Sequence, residues 1–233
     1  MGKKVIALVP AAGLGKRLGP GTNKPFYRLL GKPLLVWTIE ALQRIDEIEE
    51  IVPIIKESDW DMAMELFEQY RLSKISHVAR GGIERQDSVY NGLKLLDGKT
   101  ETVLIHDGAR PLVSESVVRD ALSGITGVDG VIVAVPVKDT IKETAGGFVK
   151  RTLEREPLWA VQTPQVFCYR FIKDAYEKAM TEQFYSTDDS ALAERAGGRV
   201  KVIMGSYDNL KITTPEDISI AEFVLRRKAR PGA

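Results

Sequence analysis

Six short apolar runs, at 5–9, 51–55, 75–79, 102–105, 130–135 and 200–204, are spaced along the 233-residue chain and separated by stretches of helical period. Runs of this length, bounded by polar or turn residues, read as buried strands rather than helices. Between them Leu34, Trp37, Thr38, Ala41, Leu42 and Ile45 keep the i, i+3, i+4, i+7 spacing behind Pro33, a residue suited to the first helical position. Ser58 with Asp61 reads as a capping box, Ser114 as the N-cap of a helix ending near Leu122, and Thr214-Pro215-Glu216-Asp217 as a helix start. Strands alternating with helices predict an α/β fold, a Rossmann-like three-layer α/β/α arrangement around a mostly parallel twisted sheet. Residues 1–233 read as one domain with an insertion at 137–156. There two polar strands meet at Gly146-Gly147 as a protruding β-hairpin. A lone hairpin is marginal in water, so a partner subunit is its natural support and it is read as a dimerisation arm; folding back on its own domain is the alternative.

The first apolar run delivers Pro10-Ala11-Ala12-Gly13-Leu14-Gly15-Lys16-Arg17-Leu18-Gly19, with Lys24 shortly after. A glycine-rich turn behind a buried strand, carrying several cations, can bring backbone N–H groups and positive charge to a polyphosphate. It is not a Walker A loop, because Pro10 stands where the first glycine belongs and Arg17 where the hydroxyl belongs. Nor is it a dinucleotide fingerprint, whose third glycine is here Leu18. Gly19-Pro20-Gly21 then prevents a regular helix, so Lys24 is still in loop. The cations therefore carry the phosphate work. A plain strand-to-helix turn with solvated charges would use the same residue types.

Thirty-three Lys and Arg against 32 Asp and Glu leave a formal charge of +1, so binding to nucleic acid through bulk charge is not expected. Cys168 is the single cysteine, which excludes a disulfide framework and a cysteine zinc site and suits a reducing cytoplasm. No apolar run approaches the roughly 20 residues that span a bilayer. The expected location is therefore cytoplasmic, with no membrane attachment.

In open α/β sheets ligands collect at the carboxyl ends of the strands. There lie His106-Asp107-Gly108-Ala109-Arg110-Pro111 and Gly81-Gly82-Ile83-Glu84-Arg85-Gln86-Asp87-Ser88. Asp107, beside a phosphate loop, is the first candidate for Mg²⁺, which keeps most of its waters and bridges to substrate oxygens; Asp208 is a second. A turn cap paired with Arg110 is the alternative role for Asp107. Gly82, Arg85 and Ser88 can approach a base or ribose. Nucleotidyl transfer suits this inventory, because an acceptor phosphate is already ionised near neutral pH and needs no Ser-His pair. The protein must hold two polyanions in line and offset charge at the α-phosphate.

These blocks, together with Gly31-Lys32-Pro33, Asp139-Thr140-Ile141-Lys142, the 158–165 segment and Asp208-Asn209-Leu210-Lys211-Ile212-Thr213, resemble the 2-C-methyl-D-erythritol 4-phosphate cytidylyltransferases from the first strand to the last helix. The resemblance implies a homodimeric, Mg²⁺-dependent enzyme that joins CTP to a polyol phosphate in isoprenoid synthesis. It implies that Arg17 and Lys24 stabilise the transition state. Ala11, Ala12, Gly13, Gly15, Gly82, Arg85, Ser88 and Ala109 would surround the nucleotide and Asp107 its metal. Arg155, Lys211, Thr140, Arg110 and Thr163 would position the acceptor, with Thr140 and Arg155 reaching a neighbouring subunit's site from the arm. Pro25 and Ile83 depart from the family pattern and touch only loop geometry and nucleotide contacts. A ribitol 5-phosphate cytidylyltransferase shares most of these blocks and is the alternative of the same chemistry. A nucleotide-binding module without catalysis is the alternative of another class, against which stand Arg17, Lys24, Asp107, Arg155 and Lys211.

Overall fold

The computed structural model describes residues 4–13, 15, 18 and 23–228. The chain runs β1 (Val5–Pro10), a 3₁₀ turn at Lys24–Phe26, β2 (Arg28–Leu29), β3 (Lys32–Pro33), α1 (Leu34–Gln43), β4 (Ile48–Ile55), α2 (Trp60–Gln69), β5 (Ala79–Arg80), α3 (Arg85–Leu95) and β6 (Thr102–Ile105). It continues through α4 (Glu115–Ser123), β7 (Gly130–Pro136), β8 (Lys142–Ala145), β9 (Phe148–Thr152), β10 (Trp159–Cys168), α5 (Tyr169–Thr181), α6 (Asp189–Arg195), β11 (Val200–Met204) and α7 (Pro215–Lys228).

Seven strands make the main sheet in the order β11-β7-β10-β6-β1-β4-β5. All pairs are parallel except those of β10, which runs antiparallel to both β6 and β7. Alternation along β1 sorts the side chains between two cores. Ala7 and Val9 face a layer with Leu35, Ile39, Leu66, Phe67 and Val118 from α1, α2 and α4. Ile6 and Leu8 face Val89, Leu93, Ile172, Tyr176 and Leu192 from α3, α5 and α6. With apolar cover on both faces the central strands carry near-continuous hydrophobic runs, which is why they are visible in the sequence. A smaller cluster of Leu29, Leu34, Leu112, Ile212, Ala221 and Val224 seats α7 beside the 2-stranded β2-β3 ribbon.

The α/β expectation holds, with local corrections. The 75–79 run is not one strand: Ile75 makes an isolated parallel bridge to Ile51, and pairing resumes only at Ala79–Arg80. Pro33 caps α1 and closes β3 instead of standing inside the helix. No Ser58 capping box forms; Ser58 donates to the Asp59 carboxylate, and Glu57–Asp59 is a 3₁₀ turn. The capping box lies at α3, between Glu84 and Asp87. Ser114 does cap α4, and Asp217 accepts from the backbone of Thr213 and Thr214 at the start of α7. In the main sheet the strand that sequence patterning missed is β10, whose Gln162, Thr163, Pro164 and Gln165 interrupt the apolar signal; the short β2 and β3 were missed too.

The arm is a separate 2-stranded sheet of β8 and β9. Gly146 and Gly147 both take positive φ, 56° and 83°, the backbone that a two-residue hairpin turn requires. Phe148 and Val149 are exposed on it.

One hydrogen bond ties the helical layer to the loops above the sheet: Thr38 in α1, fully buried, donates its hydroxyl to the carbonyl of Gly108 at 3.0 Å. Thr38→Val keeps the shape and strands that carbonyl, so it should cost about 1–3 kcal/mol in urea unfolding. Thr38→Ser should recover most of the loss.

Candidate active site

Strand order reverses around β1, because β4 follows on one side of it and β6 on the other. That reversal opens a crevice at the carboxyl ends of these strands. The parallel ladder extends into the loops that form its walls. Ala11 donates to Ile54, His106 to Leu8, Gly108 to Pro10 and Gly81 to Ile55, all within 3.1 Å. Three loops are thus held at fixed height over the sheet. Gly82 allows the second of them to fold back on α3, since a Cβ there would lie 2.3 Å from that of Asp87.

A cavity of about 370 Å³ fills the crevice. Ala11, Ala12, Gly13, Gly15, Lys24, Gly82, Arg85, Ser88, Asp107, Ala109 and Lys211 line it, so all eight expected nucleotide residues converge. Pro25, Leu34, Ile83, Glu84 and Thr213 complete much of the wall. Ser88 acts on the backbone: its hydroxyl accepts from Gly82 N–H at 3.0 Å and donates to the Glu84 carbonyl at 3.1 Å. A second cavity of about 460 Å³ shares Arg85, Asp107 and Lys211 and adds Arg110 and Thr163.

Asp107 is the electrostatic centre, buried between cations from three segments. Its Oδ1 accepts from Arg85 Nε at 3.1 Å, while Oδ2 lies 2.8 Å from Lys211 Nζ and 3.8 Å from Arg110 Nε. Burial would raise its pKa, but Arg85, then Lys211 and Arg110, hold the carboxyl well below the usual carboxylate range. It is ionised at any working pH. Arg110 also donates to the Asn209 carbonyl at 2.7 Å, and Ile212 N–H donates to Ala109, which fastens the 209–213 segment over the site.

Behind this carboxylate lies a hydrogen-bonded chain of three groups. A carbonyl can only accept, so His106 Nε2 carries the proton it gives to the Arg110 carbonyl at 3.0 Å. Its bare Nδ1 then accepts from the Thr163 hydroxyl at 3.1 Å, and that oxygen accepts the Asp107 N–H at 3.0 Å. Burial pushes the His106 pKa down to about 4 and keeps the ring neutral. Thr163, expected on the acceptor, is therefore engaged in aligning Asp107 while also lining the second cavity. The peptide bond that follows it, Thr163-Pro164, is cis.

Other expected residues lie elsewhere. Arg17 is outside the described residues. Thr140 and Arg155 sit at the base of the arm and line neither cavity of their own chain; Arg155 donates to the Lys138 carbonyl at 2.6 Å. Asp208 pairs with Arg227 of α7 and is absent from both cavity walls. Of the two expected metal residues, Asp107 is thus the one placed to hold a divalent cation. Among the described residues no group of three His, Cys, Asp or Glu side chains is placed to hold a metal. One ionised carboxylate in a phosphate-sized cleft suits Mg²⁺, which is commonly taken by one or two carboxylates together with substrate phosphates. Sequence reasoning passed over Asp189, whose fully buried carboxylate grips Arg85. Its position in Asp188-Asp189 reads as a helix cap, and only the packing of α6 on α3 reveals the pair.

A cleft that offers cations and backbone N–H groups, with no Ser-His or Cys-His pair among its described residues, is built for moving phosphoryl-linked groups, the work of a nucleotidyltransferase. A model of the family IspD, 2-C-methyl-D-erythritol 4-phosphate cytidylyltransferase, matches residues 5–227, and the chain belongs to that family. It is 46% identical over 224 residues to a protein of that name from Clostridioides difficile, covering 96% of this chain and 94% of the relative. It is 45% identical over 226 residues to one from Geotalea uraniireducens, covering 96% and 97%. Among solved structures, 4-diphosphocytidyl-2C-methyl-D-erythritol synthase from Anaerococcus prevotii superposes with a TM-score of 0.86 at 37% identity, covering 97% of each chain. The cytidylyltransferase from Thermus thermophilus does so with 0.78 at 28%, covering 96% and 99%.

The neutral His106 gives the fold a pH dependence whose sign follows from its lowered pKa. The unfolded chain takes up a proton near pH 6.5 and the folded chain only near pH 4, so stability is full above 6.5 and falls as pH drops through that window. The loss is about 3 kcal/mol, from roughly 1.4 kcal/mol per unit. His106→Gln should flatten urea-unfolding stability between pH 6.5 and 4 while leaving the fall below about pH 4, where Asp107 takes up a proton in the unfolded chain but not in the folded one.

Proposed function

We propose that this chain joins CTP to 2-C-methyl-D-erythritol 4-phosphate, giving 4-diphosphocytidyl-2-C-methyl-D-erythritol and pyrophosphate, in the non-mevalonate route to isoprenoids. The observation that carries the reading is the cleft over β1, where Lys24, Lys211 and the ionised Asp107 line one cavity in a chain of this family. An oxygen of the acceptor phosphate attacks the α-phosphorus of CTP as the bond to the pyrophosphate oxygen breaks. The acceptor's second pKa is about 6, so no general base is needed. What the chain supplies is alignment and positive charge where the five-coordinate phosphorus gathers negative charge.

In this reading Arg17 and Lys24 offset that charge. Ala11, Ala12, Gly13 and Gly15 present backbone to the triphosphate, while Gly82, Arg85 and Ala109 border the nucleoside, with Ser88 bracing the Gly82 turn. A divalent cation such as Mg²⁺, held by Asp107, would neutralise charge on the triphosphate. Lys211 and Arg110 attract the acceptor phosphate, and Thr163 keeps Asp107 in place. The arm carries Thr140 and Arg155 to the cleft of a second copy, which accounts for two conspicuously polar residues outside their own chain's cavities and for the exposed Phe148 and Val149. The protein works as a homodimer in the cytoplasm; no helix among the described residues is long and apolar enough to cross a membrane.

Pyrophosphate release from CTP and Mg²⁺ with each polyol phosphate tests the assignment. Turnover with methylerythritol phosphate is expected, and exclusive turnover of ribitol 5-phosphate would overturn it. The arm is tested by mixing inactive Arg17→Ala and Arg155→Ala proteins. In a verified heterodimer one of the two sites regains both residues, so activity should return; continued inactivity would place both residues in the same chain's site.

A further inference from the structure

Asp189 is buried without solvent contact at the start of α6, and its carboxylate is fully engaged. Oδ1 accepts from Arg85 Nη1 at 2.8 Å and Oδ2 from Arg85 Nη2 at 2.7 Å. The hydroxyl of Tyr176, whose ring stacks on Tyr90 with centroids 6.4 Å apart, donates to Oδ1 from behind. A two-pronged guanidinium–carboxylate contact sets the plane of the guanidinium as well as its place. On Nε the same guanidinium donates to Asp107 Oδ1 at 3.1 Å. Arg85 thus stands between two carboxylates with its fork turned away from the one in the cleft.

That orientation matters because Asp107 is already crowded by Lys211 and Arg110. A freed fork would close on Asp107 with two parallel hydrogen bonds and compete for the oxygens on which a cation depends. The second buried carboxylate also sets two negative charges against the three positive ones of Arg85, Arg110 and Lys211.

We infer that Asp189, braced by Tyr176, is a positioning residue that restrains the fork of Arg85 to a single contact on Asp107 and so keeps Asp107 available to a nucleotide-borne divalent cation. The inference rests on the assignment of the metal to Asp107 made above.

Calorimetric binding of CTP across a Mg²⁺ titration, with no acceptor and hence no turnover, reads this directly. Asp189→Asn should raise the half-saturating Mg²⁺ about 10-fold, the scale of lost outer-shell support at metal sites, with kcat at saturating Mg²⁺ near the parent's. Asp189→Glu, which restores the charge, should stay near the parent even if its melting temperature falls. Adding Arg85→Gln to Asp189→Asn removes the competing fork and should return the half-saturating Mg²⁺ toward the parent value, read at saturating CTP so that the lost contact of Arg85 with the nucleoside does not enter. Tyr176→Phe keeps the ring but loses the hydroxyl; it should shift the titration the same way by a smaller factor, and it serves where Asp189→Asn does not fold. An unchanged half-saturation in the variants that fold, or a shift that persists in the double variant, would overturn the inference. A parent whose CTP binding ignores Mg²⁺ would overturn the metal assignment first, and the inference with it.

Discussion

An ionised carboxylate kept out of water has to be met by positive charge, and Asp107 draws that charge from parts of the chain that are far apart in sequence. Arg85 comes from the start of α3, Arg110 from the loop after β6 and Lys211 from the segment before α7. Removing a partner from a buried carboxylate leaves charge uncompensated, so these segments are bound to the cleft by more than their own packing, least so at the more exposed Lys211. The cluster makes the mouth of the sheet a rigid, charged wall.

The sheet determines why the cluster can exist. Parallel strands β1, β4 and β6 end together, and their ladder runs on into the loops through bonds such as Ala11 to Ile54 and His106 to Leu8. Antiparallel β10 then brings Thr163 beside His106, which places one hydroxyl under the Asp107 amide. Because His106 is neutral, this support adds no further charge to a site already rich in cations. Phosphate chemistry benefits from such an arrangement: donors held before the substrate arrives need not reorganise as charge develops.

Much of the fold was legible because strands covered on both faces must be apolar throughout, as in Val5–Val9, Thr102–Ile105 and Gly130–Val135. β10 escaped notice where its polar residues serve the site: Gln162 and Asn209 hydrogen-bond each other, and Gln165 joins Asp188 and Ser190. The glycine-rich loop, Lys24, Gly82 and Asp107 were readable because phosphate-binding turns constrain residue type and spacing locally, whereas Lys211 came into view only through the family resemblance. Asp208 was not separable from Asp107 in the same way, since a carboxylate near a strand end looks alike whether it faces a ligand or, as here, Arg227.

By itself the sequence determined the alternation of strands and helices, the phosphate-type loop and the residue types of the chemistry, because hydrophobic period and turn stereochemistry act over a few neighbouring residues. Only the tertiary structure decided which charges meet. Asp107 lies among three cations, Ser88 and Thr163 brace backbone, and Asp189 grips Arg85 across 104 residues of chain. Such pairings depend on burial and on distances between segments, which are set by how the helices pack on the sheet and leave no local mark in the chain.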